Sequence, residues 1–216
     1  MPKSRSRRDN NLRLHIAYLA ARMMAEDGVA DYATAKQKAA RQAGLADANL
    51  LPDNLEIEAA LREYQELYQK DEQPAHLRYL REVAVEVMRE FADFHPVLVG
   101  SVLSGTAGQF SDVNLQLFTD DVKSLQIFLL NRHYRFEEGS RRMNRGDRLE
   151  EVPQITLEWD DATVTLTVLD RDDERTNPRV RAETGMLARA RLAEVEALLK
   201  WETGDGPLGE KSADAQ

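Results

Sequence analysis

An α+β fold, with a helical N-terminal region leading into a small mixed β-sheet and its flanking helices, is predicted by three observations. Apolar residues recur at three- and four-residue spacing up to residue 94. Beyond Pro96 the period drops to two and β-branched residues become frequent. A Gly-rich turn then separates two of the strands so marked. The chain has 216 residues, 42% hydrophobic and 31% charged, which suits one domain with a smaller appendage. The expected division is a helical region over 1–94 with a basic flexible arm at 1–9, a sheet domain with a closing helix over 95–201, and a disordered tail over 202–216.

Asp9 is placed to cap a first helix in which Leu12, Ile16, Leu19, Ala20 and Met23 share one face, and Gly28 stops it. A second helix runs from Asp31 to Gly44. Its Ala33, Ala35, Ala39, Ala40 and Ala43 bury little area, so close packing on a neighbour is expected. After Leu51-Pro52-Asp53 a third stripe carries Ile57, Ala60, Leu61, Tyr64, Leu67 and Tyr68. Gln73-Pro74 separates it from a fourth, Leu77 to Phe91, which ends at His95-Pro96. Val97 to Val102 is the first strand. Asp112 to Phe118 alternates strictly, with Val113, Leu115 and Leu117 facing one way and Asp112, Asn114 and Gln116 the other. Thr119 can cap a helix through Arg132. Tyr134 and Phe136 mark a further strand, and Glu138 to Glu150 reads as an exposed loop or hairpin turn. Ile155 to Trp159 and Thr163 to Leu169 form a hairpin at Asp160-Asp161. Ala182 to Trp201 is the closing helix.

Composition excludes several classes of function. The 29 basic residues against 38 acidic ones leave a net charge of −9, and Lys3, Arg5, Arg7 and Arg8 concentrate positive charge at the start, so no uniformly basic DNA binder is expected. No apolar run approaches the ~20 residues of a membrane helix, and no apolar stretch follows the basic start as a secretory signal requires, so a cytoplasmic protein without membrane partners is expected. With no cysteine there is no thiol nucleophile or thiolate metal site, and His15, His76, His95 and His133 show no paired ligand spacing. No G-x-x-x-x-G-K-[ST] loop occurs. Chemistry must come from carboxylates, hydroxyls, amides or the backbone.

The segment that can carry such chemistry is Gly100-Ser101-Val-Leu-Ser-Gly105-Thr-Ala107-Gly-Gln-Phe-Ser111-Asp112-Val-Asn114-Leu115. Glycines at 100 and 105 allow close backbone approach to a ligand. Backbone N–H groups and the Ser101 hydroxyl can hold phosphate oxygens, and Asp112 at the strand mouth can hold a divalent cation bridging them. A nucleoside triphosphate suits that geometry.

These residues resemble the nucleotidyltransferase superfamily, the polymerase-beta-like fold, whose signature is Gly-Ser followed about a dozen residues later by Asp-hydrophobic-Asp-hydrophobic. The resemblance is strong over the motif and looser over residues 78 to 175. It implies Mg²⁺ as cofactor and a nucleoside triphosphate as substrate or ligand. Asp112 would be a metal ligand and catalytic residue, and Gly100, Ser101, Gly105 and Asn114 would line the triphosphate site. The departures are as informative as the match. Asn114 stands where the second carboxylate belongs, Thr165 where a third would come from a later strand, and Ser104 where an arginine is often found. An amide adds no charge to a metal pair. Glu158 or Asp170 would have to complete a catalytic site.

Other features have plainer readings. The Lys3 to Arg8 run reads as a solvated arm. Arg141, Arg142, Arg145 and Arg148, interspersed with acids, read as a solvated hairpin rather than an RNA contact. His95 and His133 read as structural, and Tyr64, Tyr68 and Phe91 as core or helix–helix contacts rather than a base-stacking platform. The expectation is thus a divergent nucleotidyltransferase-like protein that binds a nucleotide or phosphate, with transfer weakened or lost. An active Mg²⁺-dependent enzyme and a non-catalytic scaffold for a protein or RNA partner are the alternatives. The apolar stripes Leu12 to Met23 and Ile57 to Tyr68 complete the core or support an oligomer.

Overall fold

Asp53 and Glu56 begin the third helix with reciprocal hydrogen bonds: the Glu56 N–H donates to Asp53 Oδ1 at 2.9 Å and the Asp53 N–H to Glu56 Oε2 at 2.7 Å, a full capping box. The computed structural model describes residues 7–29, 31–44, 50–145, 148–176 and 188–202. Contacts divide the chain into two compact units, Met1–His76 with Thr106–Ser111, and Leu77–Gly105 with Asp112–Gln216.

The first unit contains α1 (Arg7–Glu26), α2 (Tyr32–Gln42) and α3 (Asn54–Tyr68). Ile16, Ala17, Leu19 and Ala20 of α1 meet Ala35 and Ala39 of α2 and Ile57 of α3 in one core, and the short α2 side chains allow the expected close packing. Ala21 and Ala25 continue the seam onto Leu61 and Tyr64. Arg13, almost fully buried, ties α1 to the start of α3: its Nε donates to both Glu56 oxygens, at 2.5 and 2.7 Å, and its Nη1 to the Leu51 carbonyl at 2.6 Å. The turn 106–111 belongs to this unit. Gln65 Nε2 donates to the Thr106 carbonyl at 3.0 Å and Gln73 Nε2 to the Ala107 carbonyl at 2.9 Å.

α4 (Glu72–Glu90) crosses the boundary between His76 and Leu77 and leads the second unit. A 3-10 turn and the left-handed His95, at φ 51°, turn the chain into β1 (Val97–Val99). There follow α5 (Ser101–Ser104), β2 (Val113–Phe118), α6 (Val122–Asn131), β3 (Phe136–Arg145), β4 (Arg148–Trp159), β5 (Ala162–Leu169), α7 (Arg171–Thr176) and α8 (Leu192–Glu202). The sheet order is β1-β2-β5-β4-β3, with β2 parallel to β5 and every other neighbour antiparallel. One face is apolar: Leu98, Val113, Leu115, Leu117, Leu157, Val164 and Leu166 are all buried. Phe91, Phe94, Phe128 and Tyr134 form a ring cluster, and Tyr134 stacks on Trp159 at 5.4 Å. Among the described residues no helix is long and apolar enough to cross a membrane.

The structure agrees with the predicted α+β class and corrects several elements. The Val97 to Val102 strand stops at Val99, because Gly100 turns the chain at φ 79° into the one-turn α5. α4 starts at Glu72 and holds Pro74 in its first turn, where the missing N–H has no helical acceptor to lose. Asp121, not Thr119, caps α6, accepting from Lys123 N and Ser124 N. The Glu138 to Glu150 segment is mostly ladder: β3 and β4 pair without break from Phe136↔Leu157 to Arg145↔Arg148. Both their faces carry charge, so no apolar alternation announced them. The closing helix begins at Leu192 rather than Ala182, since Ala190 forms a β-bridge with Leu98 instead of a helical turn. α1 starts at Arg7, two residues before the expected cap. The arm at 1–6, the first part of the expected closing helix at 182–187, and the tail from 203 lie outside the described residues.

Candidate functional site

Sheet topology gathers the candidate residues at one end. β1 runs against β2, β5 runs with it and β4 runs back, so the end of β1, the start of β2, the start of β5 and the end of β4 share one rim. Gly100-Ser101, Asp112, Thr163 and Glu158 occupy these positions. In the ladders Thr163 pairs with Glu158, and Asp112 directly precedes the Val113↔Val164 pair, which puts Asp112, Thr163 and Glu158 in one row across three strands. Thr163 Oγ1 donates to Glu158 Oε1 at 3.4 Å. Asp112 is half-buried, and its carboxyl is pushed above the ordinary value of 3.8, first by burial and second by the negative charge of Glu158.

The next rows inward are uncharged on β2, β5 and the facing part of β4. Asn114 pairs with Thr165, which pairs with Thr156, and Gln116 pairs with Thr167, which pairs with Gln154. Asn114 is steered by its own loop, Nδ2 donating to the Asp112 carbonyl at 3.1 Å. The Gly100 backbone passes over it: at φ 79°, ψ −154° the residue occupies a region nearly confined to glycine, and a Cβ there would lie 3.6 Å from Asn114 Cβ. Ser101 starts α5. The bonds of that single turn are Ser104 N–H to the Gly100 carbonyl at 3.0 Å and Gly105 N–H to the Ser101 carbonyl at 2.9 Å, so the N–H groups of Ser101, Val102 and Leu103 stand ahead of the ladder.

Two of the sequence-predicted residues are placed elsewhere. Asp170 follows β5 at its opposite end, where Thr119 N–H donates to the Leu169 carbonyl and Arg171 N–H to Asp120 Oδ1. A six-residue strand separates that end from Asp112, roughly 20 Å. Gly105 is the left-handed cap of α5 at φ 86°, and a Cβ on it would approach Arg81 Nη2 at 3.7 Å.

Arg81 is the residue that sequence reasoning missed. Buried in the second unit, it donates from Nε to the Val102 carbonyl at 3.0 Å and from Nη2 to the Leu103 carbonyl at 3.3 Å, and it is ion-paired with Glu202. It holds the carbonyl end of α5 while Gly100 and Ser101 form the other end. The available signal was its position: a cation four residues after Leu77 and three before Ala84, inside the apolar stripe of α4.

Electrostatically the rim is a pair of carboxylates with amides and hydroxyls behind it. Among the described residues no group of three or more His, Cys, Asp or Glu side chains is arranged to hold a metal ion. Two carboxylates suit a single Mg²⁺ that keeps several waters and shares a ligand's phosphates. They do not fit the two-ion arrangement that phosphoryl transfer by this route requires. Comparison with protein-family models, with curated proteins and with solved structures finds no match for this chain.

Proposed function

We propose that the sheet end formed by Gly100, Ser101, Asp112 and Asn114 binds a nucleotide or a related phosphorylated ligand in the cytoplasm, with nucleotidyl transfer weak or lost. The observation that carries this reading is the pairing of Asn114 with Thr165. Where the resembled family needs two further acids, two neutral side chains stand side by side. The backbone turn at Gly100, which leads into α5, supports phosphate binding, and Asp112 supports one bridging cation.

Calorimetric titration with ATP, GTP, CTP and UTP, with and without Mg²⁺, tests it. Mg²⁺-enhanced binding that disappears in Asp112→Ala, with no label transferred from an α-phosphate-labelled triphosphate, is the expected result. Absence of binding to all four would overturn the reading and leave a scaffold for a protein or RNA partner. A second reading, an Mg²⁺-dependent nucleotidyltransferase using Asp112 with Glu158, draws on the electrostatic influence of Glu158 on Asp112. It requires label transfer that Glu158→Gln abolishes.

A further inference from the structure

An open cavity of about 840 Å³ lies in the second unit at the start of β1, the opposite end of that strand from Gly100. Its walls are the end of α4 with the turn after it, the end of α7, and the residues leading into α8. The last of these walls is held by the sheet. Ala190 and Leu98 exchange backbone hydrogen bonds of 2.8 and 3.0 Å along the free edge of β1. The next residue, Arg191, is fixed by Glu194: the Arg191 N–H donates to Glu194 Oε2 at 2.8 Å and the Arg191 carbonyl accepts from the Glu194 N–H at 2.9 Å. His95 meets the cavity from left-handed backbone, φ 51° and ψ 56°, directly before Pro96, a costly combination of the kind that gathers at ligand sites.

The lining divides by polarity. Met88, Ala92, Pro96 and Leu192 supply apolar surface, and His95, Glu174, Arg175 and Arg191 supply the polar groups. Glu174 is already engaged: its Oε1 accepts from Arg191 Nη2 at 2.9 Å, and its Oε2 lies 3.7 Å from His95 Nδ1. Arg175 is exposed and has no hydrogen-bond or ion-pair partner among the described residues. Two guanidinium groups against one carboxylate leave the lining with an excess of positive charge. That excess balances a monoanion, and the planar fork of an arginine matches the two oxygens of a carboxylate. A phosphate monoester, with a charge of about −2, would bring further negative charge beside Glu174 with nothing to offset it. The volume and the apolar walls admit an organic body as well as the head group. We propose that this cavity binds a small organic acid, one carboxylate on an apolar body, with the carboxylate held by Arg175 and Arg191 and the body against Pro96 and Leu192.

Titration of the full chain, followed by its amide NMR shifts, tests the assignment with octanoate, acetate, octanamide and octyl phosphate as probes. Octanoate binds with a dissociation constant below about 1 mM and moves the signals of Ala92, His95, Glu174 and Arg191. The other three probes bind at least about tenfold more weakly. Arg175→Gln, at an exposed position, keeps the wild-type melting temperature and loses about tenfold in octanoate affinity. Ala92→Glu, also at an exposed position, sets a second carboxylate in the wall and loses at least as much. The assignment is overturned if octanoate does not bind, if acetate, octanamide or octyl phosphate matches it, or if Arg175→Gln binds it as the wild type does. Octanoate shifts gathered at Gly100 and Asp112 instead of around His95 overturn it as well. The triphosphate titration stands or falls separately, since its site is at the other end of β1.

Discussion

Asn114 of β2 and Thr165 of β5 are direct partners in the one parallel ladder of the sheet, and neither carries charge. Placing carboxylates at both sites adds two acids to Asp112 and Glu158 at one sheet end. The double variant Asn114→Asp, Thr165→Asp is expected to melt below the wild type without divalent cation, because four carboxylates then crowd that end. With Mg²⁺ it regains stability, by about 2.7 kcal/mol when the ion is at a hundred times its dissociation constant. The wild type gains less. Thermal melts across an Mg²⁺ series check this, and an unresponsive double variant would show that the rows do not converge on a common ion.

The raised carboxyl of Asp112 gives a pH prediction of definite sign. Its folded-state pKa lies above the ordinary 3.8, so between these two values the folded chain binds more protons than the unfolded one. Stability contributed by this group therefore falls as pH rises through that window. Asp112→Asn is expected to be more stable than the wild type at neutral pH, with the advantage shrinking below pH 3.8. Urea titrations at several pH values measure it. A wild type that is the more stable at neutral pH would mean that Asp112 has a favourable partner in the fold.

Removing Arg81 strips three acceptors at once. Arg81→Met leaves the Val102 and Leu103 carbonyls and the Glu202 carboxylate without their donor. Glu202 is partly exposed and can recover water, so the loss is placed at about 2–3 kcal/mol, below that of a fully buried pair. Denaturant unfolding gives the figure, and a loss under half a kcal/mol would mean that the α5 carbonyls are served by other donors.

Gly100 and Gly105 bracket the same helical turn but tolerate side chains unequally. Gly100→Ala forces alanine to φ 79°, ψ −154°, at a cost of about 1–3 kcal/mol. Gly105→Ala meets only the milder left-handed penalty of about 1 kcal/mol. Neither Cβ would clash, the nearest atoms being 3.6 and 3.7 Å away. Comparing the unfolding free energies of both variants tests backbone strain as the cause, and a larger loss at Gly105 would refute it.

Where one face is buried, the sequence declares it. α1 and β2 were legible because the residues that bury recur with the period of the element, and Asp53 and Gly28 punctuate in ways that any local reading detects. The start of β3 at Phe136 was legible, but its extension escaped because Glu138, Arg141 and Arg142 hold their ladder through the backbone and leave no apolar trace. Pro153 further disguised β4. It sits one residue beyond the β5 pairing, which begins at Gln154, so its missing N–H costs no bond on that side. At the site, Gly100, Ser101, Asp112 and Asn114 were readable from spacing. Glu158 could be tied to Asp112, and Asp170 separated from it, only once strand order was known, since neither is local in sequence. Arg81 was hidden by expectation: a guanidinium in an apolar stripe looks like a surface residue until its carbonyl acceptors are seen.

The excursion 106–111 bears on how this protein can be dissected. Thr106 and Ala107 are buried among the helices of the first unit, and Phe110 lies against Gly28, 3.1 Å from where a Cβ on that glycine would stand. Those residues are encoded between α5 and β2, inside the second unit's span. No single cut of the chain thus releases either unit whole: a fragment ending at residue 76 lacks part of its own core, and one starting at 77 carries a buried loop with nothing to bury it. Limited proteolysis should give nicked protein that stays together, and separately expressed halves should gain solubility when co-produced.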